Sequence, residues 1–187
     1  LAANVDTVLC IASPEKPPFR PRFIDRVIIL ADKQNIPTWI VLNKCDQTID
    51  DSVKKRMDHY EKIGYETRYV SALTGEGVKP IQDEIRSSAV MFVGQSGVGK
   101  STLVNAISPG AGQRIAEISS KFNRGKHTTN YGVFISENGR NGIIDTPGLR
   151  EIEICEIHPR DLRFYFPEFM ELPASCAFPS CTHIHEP

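Results

Sequence analysis

Nothing in this 187-residue chain approaches the roughly 20 consecutive apolar residues that a membrane-spanning helix needs, and no charged-then-apolar leader opens it. The expected setting is therefore the cytoplasm, with no membrane partner. Neither sign of charge is in excess. Lys+Arg number 22 and Asp+Glu 23, so any nucleic-acid partner has to be held by a local patch and not by the field of the whole chain. Five cysteines, an odd number without regular spacing, argue against a disulfide framework. Internal repeats and low-complexity tracts are missing too. The chain starts without Met and stops abruptly at Pro187, as a fragment would. What is present is an apolar fraction of 40%, suited to one main globular core with a small appendage, expected as a monomer.

Apolar runs and helical periodicities alternate along the chain. Short β-rich runs at 6–12, 38–42, 67–70, 89–93, 131–135 and 142–144 read as strands. Between them, Phe23, Ile24, Val27, Ile28 and Ala31 recur at helical spacing, a polar helix covers about 50–63 up to Gly64, and further helices are predicted over 78–86 and 102–107. Residues 109–130 are rich in Gly, Ser and basic side chains with little periodicity, which marks a functional or mobile loop. A short helix near 159–166 precedes a Cys-, Pro- and His-containing tail. The fold class is α/β: a mostly parallel sheet with helices on both faces and ligand sites at the carboxyl ends of the strands.

Those strand ends carry the chemistry. Residues 94–101 read GQSGVGKS, matching G-x-x-x-x-G-K-[ST] in the strand–loop–helix context that a phosphate-binding loop requires. Gly94, Gly97 and Gly99 permit backbone angles that bring the N–H groups of the loop, with Gln95, Ser96 and Val98, close to an anion. A helix starting near Lys100, with Thr102 in its first turn, adds the partial positive charge of its N-terminus. Lys100 would pair the β- and γ-phosphates, and the Ser101 hydroxyl would hold Mg²⁺. After the strand at 38–42 comes Asn43-Lys44-Cys45-Asp46. A buried carboxylate at Asp46 would accept from N1–H and the exocyclic amine of guanine, a donor pair that adenine does not present. Ser71-Ala72 ends the next strand, with a backbone N–H placed to donate to guanine O6. Asp145-Thr146-Pro147-Gly148 ends the last, Asp145 reaching Mg²⁺ through water and the Gly148 N–H meeting the γ-phosphate.

Together these four motifs resemble the core of Ras-like GTPases with the guanine motifs placed before the phosphate loop, and they are accompanied by Ala3-Asn4-Val5-Asp6 near the start, Lys126-His127-Thr128-Thr129 in the long loop and Cys176…Cys181-Thr182-His183 in the tail. That inverted order is similar to the circularly permuted GTPases and, within them, to the ribosome small-subunit-dependent GTPase A (RsgA) family, over nearly the whole chain. The resemblance implies a permuted P-loop GTPase domain over 1–150 and a small, incomplete helical and zinc-binding subdomain over 151–187. The RNA-binding OB barrel that family members carry before the core is expected to be absent from this chain. It implies GTP/GDP, Mg²⁺ and Zn²⁺ as cofactors, and the small ribosomal subunit and its rRNA as partner. Cys176, Cys181 and His183 would be three zinc ligands, the fourth lying beyond Pro187 or supplied by His185. Cys10, Cys45 and Cys155 read as structural.

Hydrolysis raises a separate question. In the Ras pattern a Gln follows the DxxG glycine and orients water, but Leu149 stands there and cannot. His127, similar to a switch histidine of the family, is the candidate catalytic group, with an RNA-facing surface role as its alternative. One of Thr128 and Thr129, with Thr129 preferred, would offer its hydroxyl to Mg²⁺ and its N–H to the γ-phosphate. Arg114, Lys121, Arg124 and Lys126 make this loop basic, fit for rRNA phosphates or for solvent. The leading expectation is a GTPase of small-subunit maturation stimulated by the ribosome. The alternative is a nucleotide-gated ribosome-binding module with negligible hydrolysis of its own, and an ATP-using enzyme is disfavoured by Asn43 and Asp46.

Overall fold

The computed structural model describes residues 4–109, 133–136, 141–146, 152–154 and 157–170. Among them β1 (Thr7–Ala12), β2 (Thr38–Leu42), β3 (Glu66–Tyr69), β4 (Ala89–Gly94), β5 (Val133–Ile135) and β6 (Gly142–Asp145) form one six-stranded sheet, ordered β3-β2-β1-β4-β6-β5. All neighbours are parallel except β5 and β6, so the edge at β5 is the one antiparallel pair. Every residue of β1 and of β4 is buried, as strands covered on both faces must be. The register aligns their carboxyl ends: Ala12 stands opposite Leu42, Leu42 opposite Tyr69, Ile11 opposite Gly94 and Phe92 opposite Asp145.

Alternation along the strands divides the core in two. Val8, Cys10 and Ala12, with Ile40, Leu42, Met91 and Val93, face α1 (Pro21–Asp32) and α2 (Asp51–Lys62). Leu9 and Ile11, with Val41, Val90, Phe92 and Ile143, face α3 (Lys79–Ser87) and α4 (Lys100–Ile107). The helices begin and end where local chemistry dictates. Pro21 opens α1, Asp50 caps α2 by accepting the Ser52 N–H at 2.7 Å, and Gly64 at φ 99° ends the turn after it.

A single residue, Ser88, separates α3 from β4, and the junction is stitched to the start of β1. The Asp6 carboxylate accepts the Ala89 N–H at 2.8 Å, while Glu84 accepts the hydroxyls of Thr7 and Ser88, each at 2.7 Å. Beyond β6, Ile152 is buried in the α1/α2 core, where its carbonyl accepts from Arg26 at 3.2 Å. The helix expected over 159–166 is instead a 3₁₀ turn, Pro159–Tyr165, followed by a one-turn helix α5, Pro167–Met170. Pro167 has no N–H to continue the preceding turn and disfavours helical geometry at Phe166. His59 on α2 meets Glu168 on α5 at 2.9 Å, which holds the segment against that face. No helix among the described residues is long and apolar enough to cross a membrane.

Ile81 is the one buried side chain that the nine-residue α3 contributes. Ile81→Ala should lower the unfolding free energy by about 2–5 kcal/mol in urea denaturation, while exposed Arg86→Ala should stay within about 0.5 kcal/mol of the parent.

Candidate nucleotide site at the carboxyl ends of the strands

The phosphate loop runs from the end of β4 into α4. Gly94 is required by crowding and not, as the sequence suggests, by its backbone angles: a Cβ there would lie 2.4 Å from the Ile11 carbonyl oxygen of β1. At Gly99 both demands coincide. Its φ is +93°, and a Cβ would fall 2.4 Å from Asn43 Nδ2. That nitrogen donates to the Val98 carbonyl at 2.9 Å, while Asn43 Oδ1 accepts the Ala72 N–H at 3.0 Å. One buried amide therefore ties the phosphate loop to the segments after β2 and β3. Two further contacts repeat the connection: Ser71 Oγ donates to Asp46 at 2.6 Å, and Lys44 Nζ donates to the Gly97 carbonyl at 2.7 Å.

Two expectations change here. Asp46 is exposed, so its carboxylate is not desolvated by the protein itself; what the fold supplies is orientation, through the fully buried Ser71. The backbone N–H groups of Ser71 and Ala72 are both already engaged, the first donating to the Glu76 carbonyl at 2.9 Å and the second to Asn43. The expected donation to guanine O6 is thus not open to either in this arrangement. The turn after β3 folds back on itself, the Ser71 N–H onto Glu76 and the Ala72 N–H onto Asn43, which no residue type in the sequence announces.

Lys100 lies at the base of the loop, 7% exposed, with Nζ donating to the carbonyls of Gly94 at 2.8 Å and Gln95 at 3.1 Å. Burial lowers its pKa, and the charge of Asp145 opposes that shift. Asp145 mirrors it: burial raises its pKa and the Lys100 ammonium holds it down. Asp145 Oδ1 is buried without a hydrogen-bond partner among the described residues. An anionic oxygen left bare beside a buried ammonium suits a cation-binding role, and the hydroxyl-bearing Ser101 is exposed at the head of α4. Thr146 fixes the end of β6, its buried hydroxyl donating to the Phe92 carbonyl at 2.7 Å.

Ser96 and Thr102 are exposed around this loop, and Gln95 is buried beneath it. His127, Thr128, Thr129, Gly148, Cys176, Cys181 and His183 lie outside the described residues, as do Cys155, Leu149 and His185. Cys10 is fully buried and its thiol pKa is pushed well up; that of Cys45 is pushed up to about 11, chiefly by burial, so both behave as inert structural thiols. A cleft of about 170 Å³ between α3, α4 and the β5–β6 pair lies at the opposite end of the sheet. Among the described residues that line it, the one charged group, Arg86, already meets Asp83 at 3.4 Å, so the strand ends remain the candidate site. Sequence reasoning missed the loop between β1 and α1, whose Lys16 carbonyl also accepts from Lys44 Nζ. In the sequence Pro17, Pro18 and Pro21 mark a stiff loop there but carry no chemistry.

A family model described as RsgA GTPase matches residues 1–155. The chain belongs to the RsgA GTPase family. The small ribosomal subunit biogenesis GTPase RsgA of Borreliella afzelii (strain PKo) is 43% identical over 188 residues, covering the whole of this chain and 61% of that protein. The chain thus spans about three-fifths of the length of the curated relatives it matches. The crystal structure of YjeQ from Thermotoga maritima superposes with a TM-score of 0.75 at 31% identity, covering 98% of this chain and 62% of that one. YloQ, described as a circularly permuted GTPase, gives 0.70 at 27% identity, covering 98% and 58%. The α/β fold with guanine-type motifs ahead of the phosphate loop is therefore that of the permuted RsgA GTPases, as the motif order implied.

Asn43→Ala would strand the Val98 carbonyl and the Ala72 N–H in a buried site. The nucleotide-free protein should lose about 1–3 kcal/mol of unfolding free energy in urea, whereas Asp46→Ala, at an exposed position, should lose less than about 1 kcal/mol.

Proposed function

We propose that this chain binds guanine nucleotide at the joined strand ends and hydrolyses GTP, within a cytoplasmic protein that acts, as a monomer, in maturation of the small ribosomal subunit. The observation that carries the proposal is the Asn43 bridge, because it holds a phosphate-binding loop and a carboxylate-bearing loop in one fixed relation. The ribosomal role rests on the naming of the relatives and on the basic residues Arg114, Lys121, Arg124 and Lys126.

In this reading the loop N–H groups and the N-terminus of α4 receive the polyphosphate, and Lys100 exchanges the carbonyls of Gly94 and Gln95 for β- and γ-phosphate oxygens. Ser101, Asp145 and one of Thr128 and Thr129 would hold Mg²⁺, which when bound neutralises charge developing between those phosphates. Asn43 and Lys44 position the base side, Asp46 pairs with guanine N1–H and the 2-amino group, and Gly148 contacts the γ-phosphate. The 1–150 region acts as the GTPase domain and 151–187 as the start of a second subdomain. Two thiols and an imidazole at Cys176, Cys181 and His183 form a donor set suited to zinc, with one further ligand needed to close it.

Leu149 cannot orient water, so hydrolysis falls to His127 with the ribosome supplying or fixing what is missing. The same residue favours a second reading, in which nucleotide gates ribosome binding and turnover is negligible. Single-turnover hydrolysis of GTP with and without small ribosomal subunits separates the two. The proposal expects a slow intrinsic rate, stimulation by subunits, and a loss of about 10²-fold or more of the stimulated rate in His127→Ala with nucleotide binding retained. No stimulation in the parent protein would favour the gated module.

A further inference from the structure

Lys44 sits in the left-handed region, φ 66°, which a lysine rarely adopts without compensation. Its ammonium is the place where three loops meet. It donates to Gly97 of the phosphate loop and to the Lys16 carbonyl in the turn after β1, while its own backbone belongs to the segment after β2. The turn after β1 is itself shaped from within. Ser13, 1% exposed, donates its hydroxyl to the Pro17 carbonyl at 2.7 Å, and that bond closes the bend in which the Lys16 carbonyl is displayed. Pro17 also lies against the phosphate loop, its Cδ 3.5 Å from where a Cβ on Gly97 would stand. Neither Ser13 nor Pro17 belongs to any nucleotide motif.

We infer that Ser13 is a positioning residue for the nucleotide site: through Pro17 and Lys16 it fixes the Lys44 ammonium, and so governs how long a guanine nucleotide stays bound. This deepens the guanine-nucleotide reading above and rests on it. The turn over 13–17 forms a third wall of the site, beside the phosphate loop and the base-reading loop. Glu15 and Lys16, whose side chains are 70% and 83% exposed, are its outward face. Without the Ser13 hydroxyl the turn relaxes, Lys44 loses the Lys16 carbonyl as an acceptor, and its hold on Gly97 loosens. The effect falls on release because encounter with nucleotide depends on the open face of the site and not on this wall.

The experiment follows dissociation of a fluorescent GDP, carrying a methylanthraniloyl group on the ribose, by stopped flow from the parent chain, Ser13→Ala, Lys44→Met and the double variant. Ser13→Ala should release it about three- to tenfold faster, the worth of one hydrogen bond, with an association rate within about twofold of the parent. The double variant should release it no faster than Lys44→Met alone, since both changes cut the same chain of contacts. A merely structural serine would give increments that multiply, and that result, or an unchanged Ser13→Ala release rate, overturns the inference while leaving the guanine site standing. Failure of the parent chain to bind the probe overturns both. Should Ser13→Ala not fold, Ser13→Cys, similar in size with a weaker donor, takes its place with a smaller rise of the same sign.

Discussion

The carboxamide of Asn43 is the contact on which the arrangement of the site depends. It is buried, both of its polar atoms are satisfied within the protein, and the partners it joins, Val98 and Ala72, lie 55 and 29 residues away. A hydrogen-bonded amide of this kind is costly to half-satisfy, so neither loop can shift without leaving the other's group unpaired. It also explains Gly99 in the phosphate loop, since any side chain there would occupy the space of the amide nitrogen. Coupling of this sort is spatial. It is indifferent to which motif comes first in the chain, which is why a permuted order can build the same site.

Electrostatics complete what the amide positions. Lys100 and Asp145 lie in the low-dielectric base of the loop, and each moderates the cost of burying the other. Lys100 is held by carbonyl oxygens, which are weaker partners than phosphate, and one oxygen of Asp145 has no hydrogen-bond partner among the described residues. A site built only for stability would not leave an anionic oxygen so. Here it reads as preorganisation for a polyanion with its cation. At the end of β6 the Thr146 hydroxyl is bonded to β4, and Ile152 packs in the α1/α2 core.

Much of this was legible in the residues. Buried parallel strands declare themselves as unbroken apolar runs, and the 3.6-residue recurrence of Phe23, Val27 and Ala31 specifies which face of α1 turns inward. The phosphate loop is legible because glycine spacing and a strand–helix context are both needed and both present. Less was visible where function depends on a long-range partner. Asp46 reads as a buried base reader but is an exposed carboxylate aimed by Ser71, and the Ala72 N–H is spent on Asn43. Gly94 looks like a conformational glycine and is a packing one. The wall built by Ser13 and Pro17 gave no signal, because a serine hydroxyl bonding to a carbonyl four residues on has no signature beyond a proline-rich turn.

The central claim is that the fixed relation between these loops makes a site for guanine, read by Asp46. It is tested most directly by exchanging that acceptor for an amide and measuring dissociation constants of GDP and XDP for the parent chain and for Asp46→Asn. Guanine offers Asp46 two donors, whereas xanthine offers N1–H and an oxygen, which match the carbonyl and NH₂ of Asn. The parent should prefer GDP, and the variant should lose about 10²-fold or more in GDP affinity and prefer XDP. A variant that still prefers GDP as the parent does would contradict the account, because the base would then be read elsewhere.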